Sequence, residues 1–208
     1  INMIVKKMPI LQGFPDFETV KFFTGKFFQK YNFTPVFYDI ETTGLSRNST
    51  YLYLIGAVGI EDETWNFYQW MAENANEEET ILRIFSQFLQ QCDLLISYNG
   101  DRFDQPYLEA RYEKYGISSP FTGKQSLDLY LTLKPLKSLL KLSAMKQPCM
   151  EEFLGIKDRI YDNGKECIKL YKDFLKKNEI WFRNSTSLSC LIVKGNKIRI
   201  WIRLIKIQ

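Results

Sequence analysis

The chain has 208 residues, of which 45% are apolar, 15% aromatic and 25% charged, and its formal net charge of +4 is modest, as in ordinary globular proteins. The longest stretch without a charged residue, Asn48 to Ile60, is too short to span a bilayer, and the four cysteines form no C-x-x-C pair that would indicate zinc or a disulfide scaffold. The chain has no histidine, which excludes mechanisms that require an imidazole.

The cysteine pattern and the N-terminal sequence together indicate a cellular compartment. "INMIVKKMPI" lacks a sustained apolar core followed by a small-residue cleavage site, so no signal peptide is predicted. Scattered cysteines fit a reducing environment. We therefore expect a cytoplasmic protein with no membrane partner.

The first half of the chain reads as a lead-in segment followed by three strands. The lead-in segment is residues 1–34, of which 14–32 are aromatic and basic, with no clear structural pattern. An apolar strand begins after Pro35 and carries Asp39 and Glu41, and a Gly- and Ser-containing loop follows it. Two further β-rich runs complete a predicted antiparallel meander; they span residues 51–61 and 64–71.

Helices and short strands then alternate. Residues 76–91 place apolar side chains at i, i+3, i+4, i+7 and i+8, the pattern of a helix with one buried face. The expected elements after it are a strand at 93–100, a helix at 102–116, a strand at 126–130 and helical segments at 136–145, 150–155 and 165–177. This order predicts an α/β fold with a mixed sheet, an antiparallel three-stranded meander plus parallel strands, flanked by helices.

The first strand carries two acids where apolar residues are expected. Side chains at i and i+2 of a strand share a face, so Asp39 and Glu41 point the same way. Two like charges this close repel each other unless a cation neutralises them, and hard divalent cations prefer carboxylate oxygens. The pair therefore predicts a metal site.

A second acidic element lies in "ISYNGDRFDQPYL", residues 96–108. Here a strand ends and a helix begins, and Asp104 is expected to face the sheet edge that displays the first two acids. The alternative for Asp104 is a partner of the helix dipole. Asp101 is predicted to be an N-cap or solvated residue. Asp128 is predicted to cap the next helix, with a supporting role near the site as its alternative.

"DIETTGL" and "SYNGDRFDQPYL", some sixty residues apart, resemble the first two motifs of the DEDD superfamily of 3′→5′ exonucleases, which have the ribonuclease H-like fold. "SLDLYLTLKPLKSLLKL" and "DNGKECIKLYKDFL" look like its YprB-like branch, and the resemblance covers about residues 35–178. The resemblance implies that Asp39, Glu41 and Asp104 are catalytic residues that bind two divalent cations, Mg²⁺ or Mn²⁺. It implies that the substrates are the 3′ ends of DNA or RNA. It also implies substrate-binding residues, which are Thr42, Thr43, Gly44, Leu45, Asn99 and Phe103.

The last motif of that family is missing. It supplies a fourth carboxylate preceded by a histidine or tyrosine, but no acidic residue follows Glu179 and no Asp has a Tyr four residues before it. Residues 180–208 instead carry six basic residues and no acidic one. Three explanations remain open: a frame-shifted or miscalled chain end, substitution by Glu166, Glu179 or Asp162, or loss of catalysis.

These observations predict three parts: the lead-in segment 1–34, a ribonuclease H-like exonuclease domain at 35–179 and an atypical basic tail at 180–208. The tail reads as a hairpin, and it either contacts phosphates or has no evolved role. Two functions are consistent with these observations. One is a metal-dependent 3′→5′ exonuclease, and the other is a catalytically inactive nucleic-acid-binding or partner-binding module on the same fold.

Overall fold

The computed structural model describes residues 4–9, 18, 33–62, 64–155 and 164–177. Its strands are β1 (Ile4–Pro9), β2 (Pro35–Thr42), β3 (Leu52–Glu61), β4 (Thr64–Met71), β5 (Leu94–Ser97) and β6 (Gln125–Asp128). Its helices are α1 (Glu78–Leu89), α2 (Asp104–Lys114), α3 (Leu129–Leu133), α4 (Gln147–Phe153) and α5 (Gly164–Lys177), with 3₁₀ turns at Ala75–Glu77 and Lys134–Leu136.

The strands form one mixed sheet in the order β1-β4-β3-β2-β5-β6. Strands β2, β3 and β4 are the predicted antiparallel meander, and β5 and β6 extend it as parallel strands on the other side of β2. Strand β1 pairs antiparallel with β4 at the opposite edge. This strand lies within the predicted lead-in segment and was not expected from the sequence.

Helices cover both faces of the sheet because the strands alternate apolar side chains between two cores. Val36, Tyr38 and Ile40 of β2 belong to the core that α1 and α2 cover. Phe37 belongs to the second core, beneath α3 and α4, and a third cluster lies beneath α5. The mixed sheet between helical layers confirms the predicted fold class.

The prediction of a helix at residues 136–145 is wrong. Asp128 caps α3 much earlier by accepting hydrogen bonds from the N–H groups of Tyr130 and Leu131, which confirms its predicted capping role. The helical run ends at Lys134–Leu136, and turns follow as far as Lys141, whose positive φ of 52° cannot continue a helix.

The described helices of the chain are each too short or too polar to cross a membrane. The predicted hairpin at residues 180–208 lies outside the described residues.

Candidate active site

The two acids of β2 lie on one face of the sheet, as the alternation predicts. Phe37, two residues before Asp39, packs into the core beneath α3 and α4, whereas Tyr38 and Ile40 face α1 and α2. Asp39 and Glu41 therefore lie on the face that carries α3, α4 and α5, and both side chains are half-buried. This strand end presents two carboxylates at a partly open position.

Asp104, the first residue of α2, is anchored directly to β2. Its Oδ1 accepts a hydrogen bond from the backbone N–H of Ile40 at 3.2 Å, and the side chain is only 2% exposed. The parallel ladder between β2 and β5 ends at Phe37, so Ile40 lies beyond the residues that β5 pairs with. The Asp104 carboxylate thus contacts the residue that separates Asp39 from Glu41.

The turn that leads into α2 is held by Asp128. The backbone N–H groups of Asn99 and Asp101 donate to the two oxygens of this carboxylate at 2.9 and 3.1 Å. Asn99 has a positive φ of 63°, a conformation that Asn tolerates better than most residues. Asp101 is not the N-cap of α2, which is Phe103, and its side chain instead accepts a hydrogen bond from Ser126.

A pocket of about 410 Å³ opens beside this turn. Three residues predicted at the site, Asn99, Phe103 and Asp104, line it together with Tyr98, Tyr130 and Lys146. Tyr98 belongs to the core beneath α3 and α4, and Tyr130 packs against it. This core lies on the face of the sheet that carries Asp39 and Glu41. The pocket therefore brings the second acidic motif together with aromatic and basic side chains.

The end of β2 and the loop after it carry the other residues predicted to bind substrate. Thr42 Oγ1 donates to the Gly44 carbonyl at 2.7 Å, and Thr50 Oγ1 donates to the same carbonyl at 3.0 Å. The hydroxyl groups of Thr50 and Tyr107 lie 2.8 Å apart and join the loop to α2. Leu45 lies at the loop tip and is 83% exposed.

A buried ion pair, which was not predicted from the sequence, also binds this loop. Arg111 Nε donates to the Glu78 carboxylate at 2.7 Å, and Arg111 Nη1 donates to the Arg47 carbonyl in the loop at 2.8 Å. At the neck of the loop, the Thr43 N–H donates to the Tyr51 carbonyl at 2.9 Å. Arg111 lies among the buried apolar residues of α2. A charged residue at such a position indicates that an oppositely charged partner is buried with it, and this pattern is visible in the sequence.

A β-bulge places a tyrosine near the acids. The register shifts between Glu41 and Thr42, which leaves Tyr53 as an extra residue of β3, and its ring stacks on Tyr171 of α5 at 4.0 Å. Within the described part of the chain, the fully buried Tyr53 hydroxyl has no hydrogen-bond partner. Burial, followed by the negative charge of Glu41, raises the pKa of Tyr53 well above its usual value. Sequence alone does not reveal a bulge of this kind.

The structure brings the predicted ligands together only in part. Asp104 contacts β2 between the other two acids, yet among the described residues no group of three or more Asp, Glu, Cys or His side chains is close enough to hold a metal ion. The carboxylate donors suit Mg²⁺ or Mn²⁺ in chemical type, but their spacing does not form a three-ligand site. Of the predicted substitutes, Glu166 lies on α5, whereas Asp162 and Glu179 lie outside the described residues.

Comparison with known families identifies the chain at the level of its superfamily. A family model for the RNase_H superfamily matches residues 36–185. This match covers most of the chain and includes β2, where Asp39 and Glu41 lie, as well as α2 and α5. The chain therefore belongs to the RNase_H superfamily.

Individual relatives share only parts of their length with this chain. A DNA polymerase of Methanocaldococcus jannaschii is 50% identical over 42 residues, which are 20% of this chain and 2% of the polymerase. The family B DNA polymerase of Pyrobaculum calidifontis has a similar fold, with a TM-score of 0.62 and 16% identity over 84% of this chain and 24% of the polymerase. E. coli exonuclease I in complex with a dT13 oligonucleotide gives a TM-score of 0.47 and 14% identity over 61% of this chain and 36% of the exonuclease.

Proposed function

We propose that this chain is a metal-dependent 3′→5′ exonuclease of the DEDD type, close to the YprB-like branch, which hydrolyses phosphodiester bonds at the ends of DNA or RNA. The observation that carries the proposal is the hydrogen bond from the Ile40 N–H to Asp104, which ties the second acidic motif to the strand that bears Asp39 and Glu41. The superfamily match over residues 36–185 supports the same fold-level assignment.

In this proposal Asp39, Glu41 and Asp104 are the residues that would hold two divalent cations. Bound at such carboxylates, the cations would stabilise charge on the attacking and leaving oxygens and activate a water molecule. The spacing of the described side chains means that at least one carboxylate must move for all three to share the ions. Asp39 and Glu41 are half-buried, whereas Asp104 is 2% exposed and accepts the Ile40 hydrogen bond.

The chain's own residues would orient the nucleotide. Phe103 and Tyr130 offer aromatic faces in the pocket, and aromatic stacking holds bases with little sequence preference. Thr42, the last residue of β2, and the loop residues Thr43, Gly44 and Leu45 would line the position of the terminal nucleotide on the β2 side. Asn99 would shape the turn from which Asp104 reaches the strand.

The missing last motif supports a second candidate. The chain contains no histidine, and no acid follows Glu179, so no fourth carboxylate is available from the C-terminal tail. Small losses of alignment at a catalytic centre can lower rates by orders of magnitude. The alternative is therefore a catalytically inactive module that keeps nucleic-acid or partner binding on this fold.

Nucleotide release from end-labelled single strands separates these candidates. The wild-type chain and Asp39→Asn would be incubated with 5′-labelled DNA and RNA in Mn²⁺ or Mg²⁺, with Asp62→Asn as a matched control on an exposed turn. The exonuclease proposal expects stepwise shortening by the wild type and Asp62→Asn, and its loss in Asp39→Asn. No shortening by the wild type, or equal shortening by Asp39→Asn, would refute it.

Calorimetry provides a second measurement that does not depend on turnover. We expect Mn²⁺ to bind the wild-type chain and Asp62→Asn with equal affinity and to bind Asp39→Asn at least about tenfold more weakly, because a lost anionic ligand removes direct charge–charge attraction. Equal Mn²⁺ binding by all three proteins would contradict the ligand assignment, even if some nuclease activity were measured.

A further inference from the structure

Residues 134–146, called here the lysine ridge, end at the 410 Å³ pocket, which Met145 and Lys146 line. The ridge is anchored near both ends. On the N-terminal side, Asp128 caps α3 and also binds the turn that leads into α2. At the other end, the Tyr98 hydroxyl donates to the Met145 carbonyl at 2.7 Å. The ridge is therefore held beside the candidate site.

The lysine ridge is positively charged along its whole length. It carries Lys134, Lys137, Lys141 and Lys146, and no acidic residue occurs between Leu129 and Met150. Lys134, Lys141 and Lys146 are exposed, and Lys137 is partly exposed. Within the described ranges, none of these four side chains forms an ion pair or a side-chain hydrogen bond, so their charges face solvent.

Apolar and aromatic groups accompany these charges. Leu139 is 77% exposed and Leu136 is 41% exposed, although neither contributes to the core in this position. At the start of the ridge, the guanidinium group of Arg102 lies 5.9 Å from the ring centre of Tyr130, which lines the pocket. Alternating cations and apolar or aromatic side chains suit a polymer with charged phosphates and flat bases.

A second cavity in the described part of the chain has the opposite character. This cavity of about 780 Å³ lies along α2, and three acidic residues, Asp101, Glu109 and Glu113, contribute to its lining with one cation, Arg47. Such a surface repels a phosphate backbone. The charge distribution therefore favours an approach to the pocket over the lysine ridge rather than along α2.

We propose that the lysine ridge binds the backbone phosphates of a single-stranded nucleic acid whose terminal nucleotide occupies the pocket. This inference rests on the proposed function for the identity of the ligand. Lys134, Lys137 and Lys141 contact phosphates beyond the terminal nucleotide, and Leu139 contacts a base. A strand bound in this way gains affinity with length because each added phosphate reaches another lysine.

Fluorescence anisotropy with labelled oligo(dT) and oligo(rU) in EDTA tests the ridge without any cleavage. The variant is Lys134→Gln/Lys137→Gln/Lys141→Gln, and Lys114→Gln is the control, an exposed lysine on α2. Each phosphate contact on a single strand contributes about 0.7 to the slope of log affinity against log salt, so the triple variant is expected to lower this slope by about 2. We expect at least about tenfold weaker binding at low salt, with Lys114→Gln unchanged.

Two further variants and a shorter ligand extend the binding measurement. The matching Lys→Arg triple variant is expected to bind like the wild type, because it keeps the charges. Leu139→Ser is expected to weaken binding without changing the salt slope. A dinucleotide is expected to bind the wild type and the Gln variant equally, because it is too short to reach the ridge lysines.

The outcomes separate the ridge from the proposed function. Unchanged affinity and slope in the Gln variant, or no binding of DNA or RNA by the wild type, would overturn the ridge proposal. It would also be overturned if the variant lost binding to phosphatidylserine vesicles while keeping oligonucleotide affinity. Ridge-dependent binding without nucleotide release would refute the exonuclease alone, and release with ridge-independent binding would refute the ridge alone.

Discussion

The backbone N–H of Ile40 donates to the carboxylate of Asp104, although the two residues are separated by 64 positions in the chain. This bond gives Asp104 a structural role, because its carboxylate accepts the hydrogen bond of a buried backbone group. The proposed function adds a second role, the supply of negative charge for a divalent cation.

Asp104→Asn and Asp104→Ala should separate these roles. The amide oxygen of Asn can still accept the Ile40 N–H, so we expect the free energy of unfolding to fall by less than about 1 kcal/mol while Mn²⁺ affinity drops. Ala leaves the N–H without its partner, which should cost about 1–3 kcal/mol. Urea unfolding and Mn²⁺ calorimetry measure the two effects, and equal destabilisation by both variants would argue against the hydrogen bond as the structural role.

Gly44→Ala should destabilise the loop after β2 through one side-chain contact. A Cβ at this position would lie 2.7 Å from Thr50 Cγ2, which is too close for two carbon atoms. We expect a loss of about 0.5–3 kcal/mol in unfolding free energy. Thr50→Ser removes that methyl group and keeps the hydroxyl, so the double variant should recover most of the loss. Additive losses in the double-mutant cycle would show that Gly44 is required for another reason.

The sequence predicts the parts of this fold that depend on local periodicity. Alternation in β2 places Asp39 and Glu41 on one face, and the i, i+3, i+4 pattern gives α1. Asp128 is recognisable as a cap because a short strand and a helical run meet at this residue. Such features are determined by neighbours within a few positions in the chain.

The features that sequence reasoning missed depend on distant partners. Strand β1 is identified by its pairing with β4, some sixty residues away, and the bulge at Tyr53 by the register between two strands. Glu78 lies in the first turn of α1, a position typical of solvated acids, but it is fully buried because Arg111 reaches it from α2. Contacts between residues far apart in the chain cannot be predicted from a short local motif.

The buried pair Glu78–Arg111 should contribute far more to stability than the exposed pair Glu79–Arg83, which lies on the same helix α1. Arg111→Ala leaves the Glu78 carboxylate buried without its cation, which should cost about 3–5 kcal/mol. Arg83→Ala removes an exposed i,i+4 partner and should cost no more than about 0.5 kcal/mol. Urea unfolding of both variants checks this ranking, and similar costs would contradict it.

Cys92 should make stability fall at alkaline pH. Burial raises the pKa of this thiol from 9.0 to about 11, against the opposing charge of Lys124. The folded state therefore keeps a proton that the unfolded state loses, so the contribution is complete below pH 9 and disappears as the pH rises towards 11. We expect unfolding free energy to decline by up to about 1.4 kcal/mol per pH unit from this group. Cys92→Ala should flatten the decline relative to Cys149→Ala, and parallel curves would count against it.

The stacked rings of Tyr53 and Tyr171 provide a matched test of a buried hydroxyl near the candidate site. Tyr171 donates to the Ala72 carbonyl at 3.0 Å, so Tyr171→Phe should lower the unfolding free energy by about 0.5–1.5 kcal/mol. The Tyr53 hydroxyl lacks a partner among the described residues, so Tyr53→Phe should be neutral or stabilising. Thermal and urea unfolding would compare the two variants. A cost for Tyr53→Phe as large as that for Tyr171→Phe would contradict this expectation, because it would mean that the Tyr53 hydroxyl is hydrogen-bonded in solution.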